Sequence, residues 1–269
     1  MVRAFRVRGL RDGLAWLVLA VVLAVGPARS QDQPVIAAAS NLQFALNEIV
    51  EDFAEKTGER VRLSFGSSGN LARQIRQGAG FAIFLSADED YALELVRDGH
   101  ARDEGVLYAV GRLALVVPRG SSLKADGRLE DLEAALDEGR IRRFAIANPE
   151  HAPYGLRAKE ALEHRGLWDD IESKLVLGEN ISQAAQFAAS GNAEGGLVAY
   201  SLAVSPKLSQ RSSHALVPED WHSPLRQRMI LLKEAGATAE RFYAYFQRQE
   251  ARAVFRRHGF LLPGESLSQ

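Results

Sequence analysis

The sequence predicts an α/β protein with parallel sheets, and three observations carry that expectation. Short apolar runs alternate with segments whose apolar residues recur at helical spacing. The pattern contains no internal repeat, low-complexity tract or linker long enough to separate independent domains. Several of the runs end in small or hydroxylated residues where a strand would feed a helix.

The elements follow in order. Pro34 to Ala39 reads as a buried strand, and Leu42, Ala45, Leu46, Ile49 and Phe53 then form one helical face that stops at Thr57-Gly58. Val61 to Phe65 is the next strand, followed by Gly66-Ser67-Ser68-Gly69 and a helix through Leu71 and Ile75. Phe81 to Leu85 and Tyr91 to Val96 repeat strand and helix. A long extended run, Leu107 to Val117, closes at Pro118. Leu129 to Leu136 is helical, Phe144 to Ala147 a strand and Leu156 to Leu162 a helix. Lys174 to Leu177 is a strand, Ile181 to Ala189 a helix and Leu197 to Tyr200 a strand. A second extended stretch, Leu225 to Leu232, precedes one final helix from Ala239 to about Arg257.

Composition narrows the class. The 269 residues are 46% hydrophobic and 25% charged, typical of a soluble globular protein and unlike a collagen, a disordered chain or a multispan membrane protein. Four arginines precede the apolar run Leu14 to Val25, and Ala28-Arg29-Ser30 offers small residues on both sides of a cleavage point. This is the pattern of a secretory signal peptide over residues 1–30, and the apolar run is shorter than the ~20 residues a membrane span needs. Without it, 28 basic and 33 acidic residues leave a net charge of −5 and no basic footprint for nucleic acid. The chain has no Cys, so neither a disulfide nor a lipid-bearing cysteine is available.

The G-x-S-x-G, H-E-x-x-H, P-loop and G-x-G-x-x-G motifs are all missing, and the six histidines never fall at metal-pair helical spacing. Each histidine is expected to be scattered and solvent-exposed. What remains is four polar strand-to-helix junctions: Ala39-Ser40-Asn41, Gly66 to Asn70, Asn148 to Gly155, and Gly178 to Ile181. Helix starts point free N–H groups at anions, and ligands of open α/β sheets sit at the carboxyl ends of strands. No Lys or Arg occurs at any of the four. Hydroxyls and amides alone suit an anion that is held, then released, and that has no proton to donate. Plainer readings compete. Ser40 with Gln43 and Asn180 with Gln183 fit capping boxes, Gly66 to Gly69 fits a flexible turn, and Tyr154 after Pro153 fits a ring packed over a helix start.

Ala37-Ala38-Ala39-Ser40, Ser64-Phe65-Gly66-Ser67-Ser68 with Leu71 to Ile75, and Ser86-Ala87-Asp88 resemble the periplasmic molybdate-binding proteins of ABC importers. Asn148 to Gly155 and the closing Phe255-Arg256-Arg257-His258-Gly259-Phe260 extend the resemblance over essentially all of the chain after residue 30. It implies a two-lobed periplasmic binding protein fold of type II, with the oxyanion in the interlobe cleft and two hinge-crossing segments. The lobes would comprise residues 31–110 with 226–269, and 111–225. The resemblance places ligand contacts at Ser40, Ser68, Tyr154 and Ile181, with an amide from Asn41. Ser40, Ser68, Tyr154 and Ile181 would meet the metal only through the oxygens of molybdate, without direct coordination. Some family members take a phenol from the strand near Ala199 and Tyr200; this chain resembles those that take it from the position of Tyr154. The implied ligand is molybdate or tungstate, with no further cofactor and no enzymatic activity. The implied partners are the membrane permease and ATPase of the importer, served by a monomer in the periplasm.

Sulfate and phosphate stay open as ligands at this point, since pocket size is not written in the sequence and Glu150 or Glu179 lies near enough to accept a phosphate proton. A periplasmic hydrolase using Ser68 and a remote histidine is the alternative from another class. The leader makes the first expectation. The exported protein begins at Gln31 and is found in the soluble periplasmic fraction by N-terminal sequencing; Met1 on a chain in the membrane pellet would contradict it.

Overall fold

The computed structural model of the chain describes residues 1–2 and 33–265, so the leader and its cleavage point lie outside the described residues. The chain from Gln33 onward forms one compact unit built on two five-stranded sheets. Among the described residues, no helix is long and apolar enough to cross a membrane.

The first sheet has the order β2-β1-β3-β10-β4, where β1 is Val35–Ala39, β2 Arg62–Gly66, β3 Phe81–Ser86, β4 Val106–Gly111 and β10 Leu225–Leu231. The second has the order β7-β6-β8-β5-β9, with β5 at Leu113–Pro118, β6 at Phe144–Ala147, β7 at Leu175–Gly178, β8 at Gly195–Ala199 and β9 at Ser212–Leu216. Both sheets are mixed and not parallel throughout. β10 runs antiparallel to β3 and β4, and β5 antiparallel to β8 and β9. The reason is connectivity: the chain leaves the first sheet at Gly111, enters the second at Leu113, and returns as β10. The expected extended run from Leu107 to Val117 is therefore two strands of different sheets, divided at Arg112.

Helices cover the sheets where their apolar faces predict. In α1 (Gln43–Thr57), Ala45, Leu46, Ile49 and Phe53 are buried, and Gly58 ends the helix in the left-handed conformation at φ 72°. α2 (Ser68–Arg76) and α3 (Glu89–Arg97) pack on the opposite face of the first sheet through Leu71, Ile75, Ala92 and Leu95. Asp88 caps α3 by accepting from Asp90 N. On the second sheet sit α4 (Glu130–Asp137), α5 (Pro153–His164) and α6 (Ile181–Ala189).

The C-terminal helix is two helices, α7 (Ala237–Phe246) and α8 (Gln249–Arg257), with Arg248 extended between them. In one straight helix, residues 246 and 255 would stand about 13 Å apart along the axis. The turn instead brings the Phe246 and Phe255 rings to 5.0 Å, edge to face. β8 stops one residue before its expected end, because Tyr200 opens a helical turn and lays its ring under the Arg112 guanidinium at 4.3 Å. β9 was not expected at all; three of its five residues are polar, and it is an edge strand paired only with β5.

The Phe53 ring meets Phe242 at 5.2 Å and Tyr245 at 5.4 Å, joining α1 to α7. Phe53→Ala is expected to cost ~3–5 kcal/mol by emptying that contact. Thermal denaturation with ligand absent checks it, and an unchanged melting temperature would show that α1 is not held through this ring.

Candidate functional site

Register brings the four junctions together. Ala39 pairs with Gly66 and Ala147 with Gly178, so each sheet presents two strand ends at one level. The segments after them (Ser40–Leu42, α2, α5 and α6) begin side by side. Between them lies a small cavity. Ser40, Asn41, Ser68, Tyr154 and Ile181 all line it, with Ser67, Ala87 and Ala152 among their neighbours. No carboxylate, Lys, Arg or His is part of the lining.

Each polar group in the wall has a defined direction. The N–H groups of Ser68, Tyr154 and Ile181 lie in first helical turns, where no intrahelical acceptor exists. Ser68 Oγ accepts from Ala87 N at 3.0 Å, which turns its own proton elsewhere. The Tyr154 hydroxyl oxygen accepts from Gln227 Nε2 at 3.2 Å and Asn41 Nδ2 at 3.5 Å. Burial pushes this phenol far above its ordinary pKa, against the pull of Gln227, Asn41 and Arg112, so it keeps its proton. Gly111 faces the same node: a Cβ there would stand 2.2 Å from the Tyr154 hydroxyl. Only glycine fits that close approach.

Ser40 is not the helix cap the sequence suggested. Residues Ser40–Leu42 form a 3₁₀ turn, and α1 starts at Gln43 with no side-chain cap. The Ser40 hydroxyl crosses the cleft instead, donating to Asn180 Oδ1 at 3.1 Å and accepting from Ser182 N at 3.2 Å. Ser182 Oγ donates back to Ser40 O at 2.9 Å. Asn180 does cap α6, accepting from Ser182 N and Gln183 N.

Residues not foreseen also hold the cleft shut. Gly69 N donates to His151 O at 3.0 Å, and Ser67 Oγ lies 2.9 Å from His151 Nδ1. Asn70 Nδ2 donates to Glu179, which stands 3.8 Å from His151 Nε2. A serine and a histidine do meet, but the serine is Ser67 and the pair joins the two sides of the cleft. His151 is half-buried and His222 buried, and only His164 of the six is exposed; Nδ1 of His151 and of His222 each meets an oxygen. Below the site, Asp88 and Arg157 form a buried ion pair at 2.6 Å, also across the cleft. Burial pushes the Asp88 carboxyl up, against the pull of Asp90 N–H and Arg157. Because Asp88 and Arg157 cancel, they leave the cavity without net charge. Tyr200, the other candidate phenol, is not in the lining.

Two sheets closed over a pocket of N–H and O–H donors define a ligand-binding protein of the two-lobed kind. The chain belongs to the bacterial extracellular solute-binding proteins, whose family model matches residues 34–261. It is 36% identical to the molybdate-binding protein ModA of Rhodobacter capsulatus, over 94% of this chain and 96% of that protein. It is 33% identical to ModA of Escherichia coli, over 84% and 87%. The structure of the periplasmic molybdate-binding protein of Azotobacter vinelandii superposes with a TM-score of 0.78 at 31% identity, covering 86% of this chain and all of that one. The sulfate-binding protein SubI of Mycobacterium tuberculosis shares the fold, with a TM-score of 0.70 at 13% identity.

The buried phenols set a pH limit. Burial raises Tyr108 as well as Tyr154, so in the unfolded chain both lose their protons first, near the ordinary ~10. Their contribution to stability is then full below about pH 10 and lost as pH rises further. Ultraviolet titration should find Tyr108 and Tyr154 silent until the protein unfolds, and Tyr243, raised by burial to about 12, ionising late. Reversible ionisation of all six tyrosines in the folded chain would contradict this assignment.

Proposed function

We propose that the chain captures molybdate, and tungstate with it, in the periplasm and delivers it to the permease and ATPase of an ABC importer. The observation that carries this reading is the neutral lining, free of carboxylates and of any charged side chain, on which Ser40, Asn41, Ser68, Tyr154 and Ile181 converge. Kinship with molybdate-binding proteins over most of the chain supports it. An oxyanion without a proton needs donors from every side and no acceptor. Ser68 offers its hydroxyl and N–H, Tyr154 its phenol and N–H, and Ile181 its N–H alone. Ser40 contributes through its backbone, its hydroxyl being bound to Asn180.

The donor set argues against a proton-bearing phosphate. Glu150 is bonded to Asn148 and Glu179 to Asn70, and neither carboxylate lines the cavity. Tungstate shares the charge and tetrahedral shape of molybdate, so the same donors suit it. We assign residues 31–110 and 226–269 to one lobe and 111–225 to the other, with the chain crossing between them near Gly111 and Leu225. The protein acts as a monomer, without cofactor or catalysis, after removal of a leader near Ser30 and Gln31.

Calorimetric titration of the mature chain with molybdate, tungstate, sulfate and phosphate tests the reading. Ser68→Ala and Tyr154→Phe should each weaken molybdate binding roughly ten- to a hundred-fold, the loss of one hydrogen bond to a charged ligand. Tyr200→Phe should be nearly silent. Equal affinity for sulfate would remove the molybdate assignment, and no binding of any of the four would remove the oxyanion reading.

A further inference from the structure

One buried side chain touches two residues of the lining, Asn41 and Tyr154, without lining the cavity itself. Gln227 sits on β10, the strand on which the chain returns to the first sheet, and is 0% exposed. Its Nε2 donates to the Tyr154 hydroxyl at 3.2 Å, and its Oε1 accepts from Asn41 Nδ2 at 3.1 Å. The Tyr108 hydroxyl lies 3.1 Å from the same Oε1 and 3.2 Å from Ser86 O. Nothing in the sequence singled out this glutamine.

These bonds fix directions. With N–H groups from Gln227 and Asn41 on its oxygen, the Tyr154 phenol has its own proton left for a ligand. Asn41 is held too, both N–H groups of its amide being spent on Gln227 Oε1 and the Tyr154 hydroxyl. Turning its amide over would set Oδ1 against Gln227 Oε1, two acceptors face to face. The amide stays as it is even though Asn41 Oδ1 is buried without a partner. Gln227 thus holds its neighbours in an arrangement that the two of them alone would not keep.

We propose that Gln227 is the positioning residue of the site, orienting the Tyr154 phenol as a donor with Asn41 as its second support, and with Tyr108 holding Gln227 in turn. The proposal rests on the reading of the cavity as an oxyanion site. Gln227→Met keeps the length of the side chain and removes its polar atoms. Gln227→Glu puts an acceptor where the phenol now receives an N–H, so the phenol proton turns away from the ligand.

The test is titration with molybdate, alongside melting temperatures with ligand absent. Gln227→Met should weaken binding about ten-fold, the loss of one oriented donor. Gln227→Glu should weaken it further. Tyr108→Phe, which keeps the ring packed on Phe246 and Phe255, should cost a smaller factor and guards against a Gln227 variant that fails to fold. The decisive comparison is in the Asn41→Ala, Tyr154→Phe background, where Gln227→Met should change affinity by less than about two-fold. A side chain that only supports the fold would cost the same in both backgrounds, and that result overturns the proposal. So does wild-type affinity in Gln227→Met. Failure of the wild-type chain to bind molybdate would instead overturn the function itself, and this inference with it.

Discussion

An anion drawn out of water into a protein keeps its charge only if hydrogen-bond donors replace its hydration shell from all sides at once. The structure is organised around that constraint. One sheet can bring two strand ends and two helix starts to a single point, which leaves half of a tetrahedral ion facing solvent. Two sheets set end to end enclose it. The duplicated α/β plan, the double crossing and the cleft all follow from needing donors on opposite sides of one small volume.

Donors without cations have an electrostatic meaning. A lysine or arginine in the wall would hold the anion through a long-range field and would hold any anion of like charge. Backbone N–H groups and hydroxyls act over a short range and a narrow angle, so they select by shape. The chain has arginines in number, yet none lines the cavity, and Arg157 is tied to Asp88 at 2.6 Å. Two opposite charges at that spacing leave little net field at the cavity.

The sequence told much of this and missed the rest for identifiable reasons. Most strands and helices were legible because their apolar period is clean, as in Ala45, Leu46, Ile49 and Phe53 of α1. That Ser40, Asn41, Ser68, Tyr154 and Ile181 meet in one cavity was legible because small polar residues recur at strand-to-helix junctions and because those junctions resemble a family. The break at Arg112 was hidden: an unbroken apolar run does not reveal that its halves belong to different sheets. The bend at Arg248 was hidden too, since it answers to rings meeting in space and not to a local stop signal. Ser40 had the spacing of a cap, and only the partner across the cleft decides otherwise. Gln227 is a polar residue in an apolar strand, and its use depends on three side chains distant in sequence.

The bonds across the cleft have a kinetic consequence. Ser40 with Asn180 and Ser182, Ser67 and Gly69 with His151, and Asp88 with Arg157 all break when the lobes part. They favour the shut form whether or not an ion is inside. A population already shut in part needs less of the ion's own binding free energy to complete the shift. The same bonds slow the exit. An ion held behind them leaves at the rate the jaws open, and unloading then requires these bonds to break.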